Sequence, residues 1–186
     1  MYHIAHAKIN DVWFFIALDD GRHLVTCSFS ARGYKEAFSD LLSHLPPNSE
    51  IKETYADDYS SKILQTLNHI YEGKKVEITF PLSLQGIPAF TRKALEATME
   101  IPRGYVTSYG EIARRLGNRG ASRAVGRAEA TNPLPLLIPC HRVVKSTLET
   151  GEYGGGRKVK CMLLEREGTY FTGKRVSRKS LWTFKP

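Results

Sequence analysis

Ser108-Tyr109-Gly110-Glu111-Ile112-Ala113-Arg114-Arg115-Leu116-Gly117-Asn118-Arg119-Gly120-Ala121-Ser122-Arg123-Ala124-Val125-Gly126-Arg127-Ala128-Glu129-Ala130 reads as two short helices around a glycine turn. Ser108 begins a capping box: its hydroxyl can accept from the backbone at Glu111, and the Glu111 carboxylate can reach back. The first helix is expected over 109–116, stopped by Gly117; Asn118-Arg119-Gly120 is a tight turn; the second helix runs 121–130, ahead of Asn132-Pro133. That is the helix-turn-helix pattern. Arg123 and Arg127 are four residues apart and share a face, while Ala121, Ala124, Gly126 and Ala128 keep the second helix thin. A thin helix with an arginine wedge suits close approach to the minor groove of DNA. The competing reading packs the small residues against the first helix and leaves a solvated arginine pair.

Downstream, Leu134-Pro135-Leu136-Leu137-Ile138-Pro139-Cys140-His141-Arg142-Val143-Val144 sets a thiol beside an imidazole at the end of an apolar run. A cysteine among aliphatic residues is either an inert buried hydrophobe or a nucleophile. Neighbours in an extended chain point to opposite sides, so a water or a bend must connect His141 with the Cys140 sulfur. Tyr153-Gly154-Gly155-Gly156 is either a plain turn or a place where backbone amides come close to a ligand. Residues 157–166 read as a last helix with Val159, Met162, Leu163 and Glu167 along one edge and Gly168 as its cap; Cys161 falls away from that edge.

Upstream, residues 2–9, 12–18 and 23–29 are apolar, β-branched segments separated by Asn10-Asp11 and Asp19-Asp20-Gly21, the signature of antiparallel hairpins. Helical spacing follows over 33–45, ended by Pro46-Pro47, and over 59–72, ended by Gly73, with a strand expected over 75–80. Another helix is expected over 90–101. The expected organisation is an N-terminal domain over 1–80, a linker over 81–88, a C-terminal domain over 89–172, and a basic tail over 173–186 whose Trp182 and Phe184 leave docking open. His3, His6, His23 and Cys27 match no standard metal-ligand spacing.

The chain has 186 residues and a net charge of +8, which favours a polyanionic partner, nucleic acid first. It has no apolar run long enough to cross a membrane. Met1-Tyr2-His3-Ile4-Ala5-His6 lacks the basic and apolar regions of a signal peptide, so a cytoplasmic location is expected, on the nucleoid in a prokaryote. Three cysteines without a CxxC spacing speak against a disulfide framework or a four-cysteine zinc site.

Ser108-Tyr109-Gly110-Glu111-Ile112-Ala113, Arg123-Ala124-Val125-Gly126, the stretch from Asn132 to Val144, Tyr153-Gly154-Gly155-Gly156 and Leu163-Leu164-Glu165-Arg166-Glu167-Gly168 occur in the order seen in O6-alkylguanine-DNA alkyltransferases. Over residues 88–168 the chain resembles this family, the methylated-DNA–protein-cysteine methyltransferases. The resemblance implies an α+β protein: a small ribonuclease H-like α/β domain, then a mostly helical, winged-helix-like DNA-binding domain. It implies direct, stoichiometric and irreversible transfer of an alkyl group from guanine O6 to Cys140, less well from thymine O4. The partner would be double-stranded DNA containing O6-alkylguanine, the base flipped out through the minor groove. It implies a monomer that needs no cofactor and no metal.

By the same resemblance, His141 takes the Cys140 proton through a water, Glu167 orients the imidazole, and Asn132 holds the turn before the active site. Arg123 would fill the vacated base stack, and Tyr109 would push the 3′ phosphate. Tyr153 and the Gly154 amide would hydrogen-bond guanine O6. The backbone carbonyls of Cys140 and Val143 would read the exocyclic amine, and Pro135 would line the alkyl pocket. Ser146, Ala121, Ser122, Ala124 and Arg127 complete the implied substrate and DNA contacts. The loop over 146–152 departs from the family: it carries Glu149 and Glu152 and lacks a glycine pair before Tyr153. Three other readings stay open: a DNA-binding module without transfer, a regulator whose cysteine senses alkylation, and a cysteine hydrolase. Cys140 argues against the first, the lack of an added effector domain against the second, and the DNA-facing helix against the third.

Overall fold

The computed structural model describes residues 1–185; Pro186, the last residue of the basic tail, lies outside the described residues. The chain forms two compact units that are not consecutive segments. One contains Met1–Tyr71, Val76–Gly86 and Pro133–Leu137; the other contains Glu72–Lys75, Ile87–Asn132 and, among the described residues, 138–185.

In the first unit, β1 (Tyr2–Ile9), β2 (Val12–Leu18) and β3 (Leu24–Ser30) form an antiparallel meander, and β4 (Ile51–Glu53) adds to β1 in parallel, giving the order β3-β2-β1-β4. Asn10 and Asp11 close the first hairpin with φ of 49° and 63°. A two-residue turn of this hand needs positive φ at both positions, which asparagine and aspartate tolerate best. Successive side chains on a strand face opposite ways. Phe15 of β2 therefore packs with Ile4, Ala17, Ala37, Leu41 and Leu45, under helix α1 (Tyr34–Ser43). Its neighbour Phe14 meets Phe29 and Tyr71 instead, the latter on helix α2 (Asp58–Tyr71). With both faces covered, β2 reads as a continuous apolar run rather than an alternation.

Two expectations for this unit need correction. Residues 75–80 form no strand; the fourth strand is the short, exposed β4. Beside β3 the chain instead makes a single bridge, Leu24 with Leu82, where Leu24 N donates to the Pro81 carbonyl (2.9 Å) and Ser83 N to the Leu24 carbonyl (2.9 Å). Pro81 has no N–H with which to extend a ladder. The segment Pro133–Leu137 also belongs here: the Pro133 carbonyl accepts from Cys27 N (2.9 Å) and Thr26 Oγ1 (2.8 Å).

In the second unit, α3 (Ala89–Met99), α4 (Tyr109–Arg115) and α5 (Ser122–Ala130) enclose a core of Ala94, Ala97, Ile101, Ile112, Ala113, Val125 and Ala128. Ser108 Oγ accepts from Glu111 N at 3.1 Å, as the capping pattern requires. The reciprocal half does not form. Glu111 turns to the Arg114 guanidinium and accepts from Phe184 N at 3.1 Å. Helix α4 ends with Gly117 at φ 76°, Gly117 N on the Arg114 carbonyl and Asn118 N on the Ala113 carbonyl, the paired bonds of a Schellman stop.

The strand β5 (Thr107–Ser108) runs parallel to β6 (Val143–Val144), pairing Thr107 with Val143. Helix α6 (Arg157–Arg166) and the hairpin β7 (Phe171–Thr172)–β8 (Arg175–Val176) pack Leu164, Val176 and Phe171 against Val106 and Val144. The tail docks. Val106 N donates to the Ser180 carbonyl and Trp182 N to the Val106 carbonyl, both at 2.8 Å, and Phe184 enters the helical core. No helix among the described residues is long and apolar enough to cross a membrane.

Candidate active site around Cys140

Cys140, His141 and Arg142 form one turn of 3-10 helix rather than an extended segment. Pro139 precedes the turn, Cys140 N donates to the Ile138 carbonyl and Arg142 N to the Pro139 carbonyl, each at 2.8 Å. The alternation of an extended chain therefore does not apply to Cys140 and His141. β6 begins at the next residue and ties the turn to the start of α4 through its pairing with β5.

Cys140 is buried, and Asn132 is its clamp. Asn132 Nδ2 donates to the Ile138 carbonyl at 2.9 Å and to the Cys140 sulfur at 3.2 Å. Burial, with the nearby Glu129 charge adding to it, pushes the thiol up to about 12; the Asn132 bond and the Lys160 ammonium oppose this. The resting sulfur is therefore a thiol, and a base must take its proton as it reacts.

His141 is fully buried, and its Nε2 lies 3.0 Å from Glu167 Oε1. Glu167 ends α6 and is gripped by Arg142, whose Nε and Nη2 donate to its two oxygens at 2.9 and 2.8 Å. Arg142 Nη1 donates to the Ile101 carbonyl at 2.7 Å. Burial alone would raise the Glu167 carboxyl, yet the His141 and Arg142 bonds hold it down at about 2. An ionised Glu167 makes Nε2 the protonated nitrogen and leaves Nδ1 with a free lone pair. His141 Nδ1 is buried with no hydrogen-bond partner among the described residues. Burial also lowers the imidazole, against the pull of Glu167, so it rests neutral and able to accept a proton.

The sequence reading overlooked two residues here. Arg142 looked like part of a motif and is the fork that fixes Glu167. Lys160, on α6, is 1% exposed, and its Nζ donates to the Val143 carbonyl at 2.6 Å. Burial brings that amine down to about 8. A buried lysine four residues after a triple glycine carries no sequence signal, since lysine is rarely interior.

The remaining candidates lie on several elements. Tyr109 opens α4 half-buried; Lys160 Nζ stands 5.9 Å from its ring centroid, and burial raises its hydroxyl to about 12. On α5, Arg123 and Arg127 are exposed while Ser122 and Ala124, with Ala121 at the N-cap, are half-buried. Ala121 and Ala128 pack at the core of this unit and the arginine pair faces solvent, the arrangement of the competing reading. Ser146 is exposed in a turn closed by Leu148 N on the Lys145 carbonyl (2.8 Å). Tyr153 is half-buried and Gly154 exposed, ahead of Gly156 at φ 91° and the first turn of α6. Pro135 is half-buried in the segment that packs with the first unit. His3 binds Asp20, His6 packs edge-on or tilted among Trp13, Phe15 and Tyr34, His23 binds Asp19, and Cys27 donates to the Pro135 carbonyl, so these four do not converge.

The family described as "6-O-methylguanine DNA methyltransferase, DNA binding domain" matches residues 89–169. A methylated-DNA–protein-cysteine methyltransferase of Methanothermobacter thermautotrophicus is 37% identical over 125 residues, spanning 64% of this chain and 70% of that protein. The chain belongs to the methylated-DNA–protein-cysteine methyltransferase family. The Mycobacterium bovis member is 40% identical over 107 residues, an alignment that takes in 64% of its length. The crystal structure of the Mycobacterium tuberculosis member in complex with DNA superposes with a TM-score of 0.69 at 30% identity, over 89% of this chain and 92% of that one. The member from Pyrococcus kodakaraensis gives 0.69 at 27% identity, over 90% and 99%. The mixed α/β fold of this methyltransferase family thus extends through both units, beyond the residues whose motifs announce it.

Proposed function

We propose that this protein repairs DNA by moving an alkyl group, chiefly methyl, from guanine O6 in a duplex to the Cys140 sulfur, directly and once per molecule. In the transfer the sulfur–carbon bond forms as the carbon–O6 bond breaks. The thiol proton passes through a water to His141 Nδ1, and Glu167 steadies the imidazolium. The guanine leaves as an anion and then takes up a proton; Tyr153 and the Gly154 amide hydrogen-bond its O6, and the carbonyls of Cys140 and Val143 read its amine. A thioether does not hydrolyse, so the step is irreversible. The single observation that carries this reading is the buried Cys140–His141–Glu167 array, with Asn132 on the sulfur, in a chain of this family.

The target atom lies inside a duplex, so the base has to leave the stack, at a cost of a few kcal/mol. Arg123 enters from the minor groove into the space it vacates, Tyr109 presses the adjoining phosphate, and Ala121, Ser122, Ala124, Arg127 and Ser146 contact the DNA. Pro135 borders the alkyl group. In finer terms the first unit is a ribonuclease H-like scaffold and the second a winged helix-turn-helix. The protein works as a monomer on cytoplasmic or nucleoid DNA, with O4-alkylthymine as a poorer substrate. The test is a methyl-labelled duplex mixed with wild type and Cys140→Ala. Label moves to wild type only, while Cys140→Ala still retards the alkylated duplex in a gel. Label on Cys140→Ala would overturn the reading.

A further inference from the structure

Glu129 is a carboxylic acid in the interior that the repair chemistry above does not use. It sits near the end of α5, 7% exposed, three residues before the asparagine that holds the reactive sulfur. Its Oε1 is 2.7 Å from Thr98 Oγ1, and the same fully buried hydroxyl is 3.0 Å from the Ala94 carbonyl oxygen. A hydroxyl has one proton to give. With Glu129 ionised, two acceptors compete for that proton. With Glu129 protonated, its own O–H donates to Thr98, and Thr98 donates to Ala94, so each group is satisfied. The second oxygen, Oε2, is buried with no partner among the described residues, a position that suits a neutral acid and penalises an anion.

The charged and titratable groups that face Glu129 come from every element around it. They are Cys140 on the 3-10 turn, Lys160 on α6 and Tyr109 on α4; Glu152, exposed in the loop before α6, acts on Lys160 and Tyr109. Negative charge on Glu129 opposes a thiolate at Cys140; the ammonium of Lys160 favours one. Burial raises Glu129 to about 7, against the pull of Thr98 and Lys160.

We propose that Glu129 is a positioning residue that sets how readily Cys140 gives up its proton: the neutral acid permits thiolate formation, and the carboxylate opposes it. Cys140 reactivity then gains less from alkaline conditions than an isolated thiol would, because the second charge appears as the first is needed. The effect on alkyl transfer rests on the repair reading; the effect on the thiol does not.

The experiment measures Cys140 labelling by iodoacetamide, resolved by peptide mapping, and methyl transfer from an O6-methylguanine duplex, both from mildly acidic to mildly alkaline pH. The proteins are wild type, Glu129→Gln, which keeps a donor for Thr98, and Glu129→Met, which tests the loss of charge with a side chain of similar volume. Expected are equal rates in acid and a break near neutrality in wild type that both variants lack. Above neutrality the variants should react on the order of tenfold faster, the equivalent of about one pKa unit at the thiol. Identical labelling profiles, or a break retained in both folded variants, would overturn the inference whatever the DNA result. Labelling that differs as expected, with no methyl transfer by wild type, would sustain it and overturn the repair reading instead.

Discussion

His141 Nε2 and Glu167 Oε1 meet at 3.0 Å with side-chain exposures of 0% and 3%. The carboxylate carries a full charge in the interior, which survives only because Arg142 holds it from the other side. The pair therefore does two things: it fixes the imidazole tautomer, and it links α6 to the turn that bears Cys140.

Removing the charge on Glu167 should separate chemistry from binding. Glu167→Gln keeps the shape and loses the anion that steadies a protonated His141. Single-turnover transfer should slow by about 100-fold, the scale of one general-base relay, while affinity for alkylated duplex stays within about twofold. An unchanged transfer rate would remove Glu167 from the relay.

The same carboxyl gives stability a pH dependence. Its folded value of about 2 lies below its ordinary 4.5, so its contribution is complete above about 4.5 and fades as pH falls through about 2. The contribution is on the order of 3 kcal/mol. Thermal melts should show wild type losing more stability than Glu167→Gln across that window. Parallel losses would mean the pair does not favour the ionised form.

Arg123 is exposed, so Arg123→Ala should change stability by about 0.5 kcal/mol or less. Transfer from duplex should fall by about tenfold, because the extruded state loses its wedge. Transfer from the free base, which needs no extrusion, should be unaffected. Equal losses on both substrates would place Arg123 in the chemistry rather than the extrusion.

The docked tail predicts a defect in the helical core. Phe184 is 4% exposed, its ring 4.5 Å from that of Trp182. Phe184→Ala should cost about 3 kcal/mol. A loss below about 1 kcal/mol would show that the tail is not part of the core.

The helix pair α4 and α5 was legible because its signals are local: a cap at Ser108, a stop at Gly117, and apolar spacing that faces one core. The residues of the candidate site were legible as a motif, not as geometry. Nothing local reports that Pro139 and Asn132 bend Cys140 and His141 into one turn, or that Arg142 reaches Ile101 and Glu167. Long-range burial hid Lys160 and Glu129, whose charges predict a surface position. The three residues of β4 are too few to show a period, and they are all exposed. Trp182 and Phe184 carried the hydrophobicity to dock, but the partner strand lies more than seventy residues upstream, at Val106.

Alkyl transfer to one named sulfur is the central claim, and intact mass with peptide mapping tests it most directly. The protein is mixed with a duplex bearing one O6-methylguanine. The account predicts a single methyl increment on the peptide containing Cys140, in proportion to the alkylated DNA consumed. Tight binding of that duplex with no increment, or an increment on Cys27 or Cys161 instead, would contradict it.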